Sequence, residues 1–187
     1  MDRRQIKTQN AIFDAFITLI SKENYSKISI QEIIDEANIG RSTFYTHYKD
    51  KDELLDALCK EIFDHILTAA KDLHHTHGVV EHDGVPNSVI CHMLQHIKEN
   101  DHNILILFSC ESNDIFLKYF KEHLRELMRI NFIQDRPKRE IEIPEDFLLN
   151  HITGSFVEMV QWWIKNGLKE TPEQLDFYFS TVIIKGC

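Results

Sequence analysis

Apolar residues recur along this chain at spacings of three and four, in stretches separated by short polar breaks. Recurrence at i, i+3, i+4 and i+7 predicts amphipathic helix. Residues 4–22 show it first, through Ile6, Ala11, Phe13, Ala15, Phe16, Leu19 and Ile20. Asn24 and Tyr25 make a bend, with Tyr25 expected to pack inward. Ile30, Ile33, Ile34 and Ala37 form a shorter apolar face, and Phe44 with Tyr48 another. A long helix opens at Asp50, Lys51 and Asp52 and runs through Leu54, Leu55, Leu58, Ile62, Phe63, Ile66, Leu67, Ala70 and Leu73. It ends in HHTHGVVEHDGVP, where Gly78, Gly84 and Pro86 predict a loop. Helices are then predicted over 87–100, 103–110 and 113–133, and Pro137 and Pro144 mark a second loop. The last two are 145–166 and 172–185, the latter with Pro172 at its first position. The fold class is therefore all-α, with about nine helices.

Residues 29–55 carry more than periodicity. Ser29 and Glu32 stand in S-x-x-E spacing, a capping box that starts a helix near Ile30. Asn38 tolerates the left-handed backbone needed at a helix end. Gly40 caps the next helix. Phe44 and Tyr48 face inward, which leaves Arg41, Ser42, Thr43, Tyr45 and His47 outward. This face holds hydrogen-bond donors, one fixed positive charge and an amphipathic ring, and no carboxylate. A recognition helix in a major groove uses such side chains. Lys49 and Lys51 lie just beyond, at the place of phosphates, and Gln31 on the preceding helix joins Arg41 in base readout. A helical hairpin with a wet polar face is the competing reading. The helix over 4–22 packs across the pair and completes a three-helix head. Arg3, Arg4 and Lys7 either touch the DNA backbone or stay solvated.

The order T/S-x-x-x-I-A-x-x-A-G-V-S-x-x-T-hydrophobic-Y-x-H/Y-F-x-x-K-x-x-L is the N-terminal signature of TetR-type transcriptional repressors. Residues Ser29 to Leu54 resemble it, with Thr43, Tyr45, His47, Tyr48, Lys51 and Leu54 on signature positions. Asn38, Gly40, Ile34 and Tyr48 depart from its usual glycine, serine, small residue and phenylalanine. Near the other end, GSFVEMVQWWIKNGLKETPEQL is similar to a TetR-type branch that includes regulators of dihydroxyacetone kinase genes. The resemblance implies a helix-turn-helix DNA-binding domain over 1–50 and a helical effector-binding and dimerisation domain over 51–187. It implies a repressor that binds a palindromic double-stranded DNA operator as a homodimer and is released by a small-molecule effector. A TetR-fold coactivator, working through a protein partner with no small-molecule inducer, stays open beside it.

Net charge modifies this picture. The total is −9, yet residues 1–50 hold seven basic and seven acidic side chains. The remaining 14 basic and 23 acidic groups put all of the excess into residues 51–187. A neutral head with basic residues at its tip binds phosphates locally and attracts DNA weakly at long range.

The helix over 145–166 has apolar residues on more than one side, so it needs two covers. One is its own domain and the other a second copy, through Phe156, Val160, Trp163, Phe179, Val182 and Ile183. Gly154 and Ser155 permit close approach. Candidate effector-pocket walls are Phe63, Leu67, Met93, Ile97, Phe108, Phe116, Phe120, Met159 and Trp162, with ordinary core as the rival reading of each.

His74, His75, His77 and His82 invite a metal, with Cys91, His92 and His96 nearby in sequence. A glycine-bearing loop fixes no tetrahedron by itself, so neither metal nor cofactor is assigned. Cys59, Cys91, Cys110 and Cys187 lack C-x-x-C spacing and read as reduced thiols. A redox switch at Cys91 or Cys110 is opposed by their apolar surroundings. No eighteen-residue apolar run or signal peptide is present, so a cytoplasmic protein without a membrane partner is expected. No G-x-S-x-G, P-loop or G-x-G-x-x-G occurs, which argues against an enzyme.

Overall fold

Ser29, Ser88 and Thr171 each start a helix by accepting from a backbone N–H of its first turn, and left-handed residues at Asn38, Asn100 and Gly167 follow helix ends. The computed structural model describes residues 3–71, 88–100, 103–110, 113–133 and 143–184, with all of their side chains except those of 65–71 and 184. Helix α1 spans Arg3–Lys22, α2 Ile30–Glu36, α3 Arg41–His47 and α4 Lys51–Lys71. Helix α5 is Val89–Glu99, capped by the Ser88 hydroxyl and ended by Asn100 at φ 58°. Helix α6 is Ile104–Ser109, and α7 is Asn113–Met128 with a π-helical end at Arg129–Ile133. Helix α8 is Glu145–Lys165; α9 is Pro172–Phe179, with a π-helical end at Ser180–Ile184. Among the described residues every regular element is helical.

The chain divides into two compact units. The first comprises Met1–Glu61 and Asn103–Tyr119. It is larger than the 1–50 head read from the sequence, because α6 packs against α1. Its core joins Ile12, Phe16, Ile33, Phe44, Leu54, Leu55 and Leu58, all fully buried. Phe108 and Phe116 pair edge to face at 5.4 Å within this unit.

The second unit comprises Ile62–His102 and Phe120–Cys187. Helix α5 packs on α9, and Ser88 donates to Asp176 at 2.6 Å across that contact. A tight turn joins α8 to α9. Gly167 (φ 76°) and Leu168 (φ 54°) are both left-handed, and the Leu168 N–H donates to the Trp163 carbonyl at 3.0 Å. The Trp163 indole then donates to the Glu170 carbonyl at 3.1 Å. Thr171 opens α9 through a capping box with Gln174, with Pro172 at the first helical position.

Candidate nucleic-acid interface

Ser29 accepts from the Glu32 backbone N–H at 3.2 Å, and its own N–H donates to the Glu32 carboxylate at 2.8 Å. The Ser29 N–H, and after it the Ser29 hydroxyl that donates to the same carboxylate at 2.7 Å, hold the Glu32 carboxyl below the usual carboxylate range. Ile33 and Ile34 anchor α2 in the core. After Ala37 the chain turns through Asn38 at φ 50°, and the Ile39 N–H donates back to the Ile34 carbonyl at 3.2 Å. An Asn at this left-handed corner does what glycine does in the signature. Gly40 caps α3 in extended conformation without a side-chain bond.

Phe44, fully buried, pins α3 to the core, and its ring meets Tyr45 at 5.5 Å and Tyr48 at 6.1 Å. Tyr48 is buried against Phe13 at 6.2 Å. Burial, then the nearby Glu61 charge, pushes the Tyr48 phenol up to about 12. With these residues inward, Arg41, Ser42 and Tyr45 are exposed, while Thr43 and His47, read from the sequence as outward, are half-buried. The Arg41 guanidinium lies 5.8 Å from the centre of the Tyr45 ring, a cation–π distance. Gln31 is exposed on α2 and donates to Asp35 at 2.8 Å.

Sequence reasoning missed Thr46. It is exposed on α3, and its hydroxyl donates to the Ser42 carbonyl at 2.8 Å. The signal was present: at 3.6 residues per turn, Ser42 and Thr46 each lie about 160° from the buried Phe44.

Lys49 and Lys51 separate. Lys49 is exposed at the end of α3. The Lys51 ammonium instead donates to the carbonyls of Tyr25 at 2.7 Å and Ile28 at 2.9 Å. That leaves one of its three N–H groups for an outside anion, fewer than a phosphate-contacting lysine was expected to have. Asp50 caps α4 by accepting from the Glu53 N–H at 2.8 Å.

The expected dimer seam needs correction. Phe156, Val160, Trp163 and Phe179 are buried within the chain itself, Phe156 against Phe179 at 5.7 Å. Ile183 is half-buried, and of the expected set Val182 alone is exposed. The apolar surface left open includes Val182 and otherwise lies on residues outside the expected set. Val182 is 71% exposed, Phe177 65%, Phe147 62% and Trp162 47%.

The expected pocket is corrected as well. Phe63 and Phe120 pack ring to ring at 4.9 Å, with Met93 and Ile97 fully buried in the same unit, so these four are core. Phe108 and Phe116 belong to the core of the other unit. Trp162 is a surface residue and Met159 is half-buried, while the Leu67 side chain lies outside the described residues. A cleft of about 360 Å³ opens instead between α7 and α8, lined by Lys121, Glu122, Arg125, Asn150, Thr153 and Gly154.

His92 and His96 are buried on α5 with their Nε2 atoms 3.0 Å apart. Among the described residues no group of three or more His, Cys, Asp or Glu side chains is placed to hold a metal ion. The His74, His75, His77 and His82 loop lies outside the described residues. Burial, then the Glu173 and Asp176 charges, pushes the Cys91 thiol up to about 12, which keeps it protonated and unreactive. Among the described residues no helix is long and apolar enough to cross a membrane.

Comparison with known proteins agrees with this geometry. A family model described as "Bacterial regulatory proteins, tetR family" matches residues 12–58, and one described as "Transcriptional regulator C-terminal region" matches residues 85–185. The chain is similar to the uncharacterized HTH-type transcriptional regulator YxbF of Bacillus subtilis (strain 168), 40% identical over 75 residues, which are 37% of this chain and 20% of that protein. It is similar to the HTH-type dhaKLM operon transcriptional activator DhaS of Lactococcus lactis subsp. lactis, 31% identical over 72 residues, 38% of each chain. The chain thus spans between a fifth and about two fifths of the length of the first curated relatives it matches. The solved TetR transcriptional regulator from Streptococcus agalactiae 2603V matches over 98% of this chain and 97% of its own, at 34% identity and a TM-score of 0.69. These relatives are transcriptional regulators, not enzymes. A capped, sharply turned helix pair with a polar outward face, two matching family models and a near full-length structural relative lead to one statement: the chain belongs to the TetR family of bacterial transcriptional regulators.

Proposed function

We propose that this regulator binds a palindromic operator as a homodimer, represses transcription there, and is released by an effector bound in its second unit. The outward face of α3 carries the reading. Arg41, Ser42, Tyr45 and Thr46 are exposed on a helix that Phe44 fixes from behind, with Lys49 beyond its end. Such a helix lies in a major groove, reads base edges with its exposed side chains, and takes register from phosphate contacts.

The exposed apolar surface of the second unit supports pairing. Phe147, His151, Gly154, Glu158 and Trp162 follow one another at helical spacing along the outer side of α8. A side chain added at Gly154 would meet no atom within 4 Å, so a second backbone has room to approach there. Phe177, Tyr178 and Val182 add an outward apolar edge on α9 and its π-helical end. A surface of this kind fits a second copy of the chain, and a two-fold pair presents two recognition helices to half-sites about one DNA turn apart.

The cleft between α7 and α8 has the volume that small ligands use. An effector acts only through a difference in affinity between DNA-competent and incompetent conformations. Repression follows when a bound dimer covers a promoter. The relative named as an operon activator marks the opposite sign, which a reporter fused to the operator distinguishes. The test is a competition gel shift with DNA from upstream of the chain's own gene and excess unrelated DNA. Retention of the specific band supports the reading, and its loss to competitor at low salt contradicts it.

A further inference from the structure

Thr46 lies opposite the anchor of α3, yet it is not a signature residue. Its hydroxyl proton is committed. Oγ1 donates to the Ser42 carbonyl at 2.8 Å, one turn back along the same helix. A threonine held this way keeps its oxygen over the preceding turn, in one of the two χ1 wells that helices allow it. With its one donor used, this exposed side chain has the γ-methyl group and the acceptor lone pairs of Oγ1 left to meet a partner. To one side of it around the helix, Arg41 and Tyr45 lean on one another at 5.8 Å, and the Tyr45 ring is braced by Phe44 at 5.5 Å. The face of α3 opposite Phe44 therefore carries a methyl group held in one position, beside the polar Ser42.

In a major groove the only apolar feature that tells one base pair from another is the C5-methyl group of thymine. We propose that Thr46 is a specificity-determining residue that reads a thymine in each half-site by methyl–methyl contact, with the Ser42 carbonyl as its positioning partner. The inference rests on the operator-binding reading and deepens it. It names which base Thr46 selects and the atom by which it does so.

Replacing thymine with deoxyuridine removes that one methyl group and leaves base pairing intact. The experiment uses the full chain and a bound duplex obtained by selection, with deoxyuridine placed at one thymine position at a time, and reads affinity by fluorescence anisotropy. Wild-type protein is expected to lose about fourfold in affinity per half-site at one position, the worth of one buried methyl-sized group. Thr46→Ser keeps the hydroxyl and its bond to Ser42 but lacks the methyl. It is expected to bind thymine and deoxyuridine duplexes equally at that position, while still showing any deoxyuridine penalty found elsewhere. Thr46→Val, which keeps a methyl and drops the hydroxyl, separates methyl contact from hydroxyl bonding and is expected to retain the preference. Selective binding with no deoxyuridine penalty anywhere, or an unchanged penalty in Thr46→Ser, overturns the assignment and leaves the regulator reading standing. Failure of the wild-type protein to select any sequence overturns that reading, and this inference with it.

Discussion

The ammonium of Lys51 sits 4.5 Å from the centre of the Tyr25 ring and donates to the carbonyls of Tyr25 and Ile28. The Tyr25 hydroxyl in turn donates to Asp52. The first turn of α4 is thereby tied to the segment that leads into α2. A signature lysine that looks from sequence like a phosphate contact is, in the folded head, a brace for the helix pair that meets DNA.

Replacement of Lys51 with alanine is therefore expected to destabilise the protein. A charged hydrogen bond to a buried partner contributes about 1.5–3 kcal/mol, and the part-exposed setting puts the loss at the lower end. Urea unfolding followed by far-ultraviolet circular dichroism measures it. An unchanged midpoint would show that the brace contributes nothing.

Lys49 is predicted to behave in the opposite way. Its ammonium is exposed, so Lys49→Ala is expected to leave the unfolding midpoint alone and to lower the salt slope of DNA binding by about one. Arg41→Ala, by contrast, is expected to change which bases are selected. A salt slope unchanged in Lys49→Ala would remove that residue from the phosphate contacts.

At the corner, Asn38 occupies a left-handed conformation that a β-branched residue adopts at a cost of roughly 1–2 kcal/mol. Asn38→Val is expected to lose that much stability, and Asn38→Gly to lose none. Thermal unfolding of the three proteins orders them, and equal midpoints for Val and Asn would contradict the assigned turn.

Tyr48 gives a pH dependence with a definite sign. Its phenol titrates near 10 when free and is pushed up to about 12 by burial in the fold. The folded state therefore favours the protonated ring. The associated stability is complete below pH 10 and is lost as pH rises from about 10 to 12. Tyr25 is raised in the same direction, by burial and its bond to Asp52. Urea midpoints measured from pH 8 to 11 are expected to fall above pH 10, and to fall less in Tyr48→Phe.

The proposed dimer surface separates two neighbouring kinds of residue. Val182→Asp alters an exposed side chain and is expected to give folded monomers in sedimentation velocity. Val160→Asp places a charge at a fully buried position and is expected to unfold the chain instead. A Val182→Asp protein that stays dimeric, together with a dimeric Phe177→Asp protein, would place the seam elsewhere.

Local chemistry made the head legible. The Ser29–Glu32 box, the left-handed Asn38 and the Phe44–Tyr48 anchor are each set by residues within four positions, and each stands in the structure as read. The tertiary contacts were not legible in this way. Trp162 and Trp163 are adjacent on an α8 with apolar residues on several sides. Periodicity gave no ground for choosing which one meets the chain's own core. The structure buries Trp163, through the turn its indole closes onto Glu170, and leaves Trp162 outside. The pocket failed for the same reason, since Phe63 and Phe120 at helical spacing are as consistent with a filled core as with a lined cavity. The role of Lys51 turned on acceptors more than twenty positions earlier in the chain, at Tyr25 and Ile28. Only the fold brings those within reach.

The most direct measurement is selection of bound sequences from random double-stranded DNA by the purified full chain, at low and physiological salt. Operator binding by a two-fold pair predicts enrichment of a palindrome whose half-sites lie about one helical turn apart, weakening as salt rises. Enrichment of a single unrepeated half-site, or of no sequence at either salt, would contradict it.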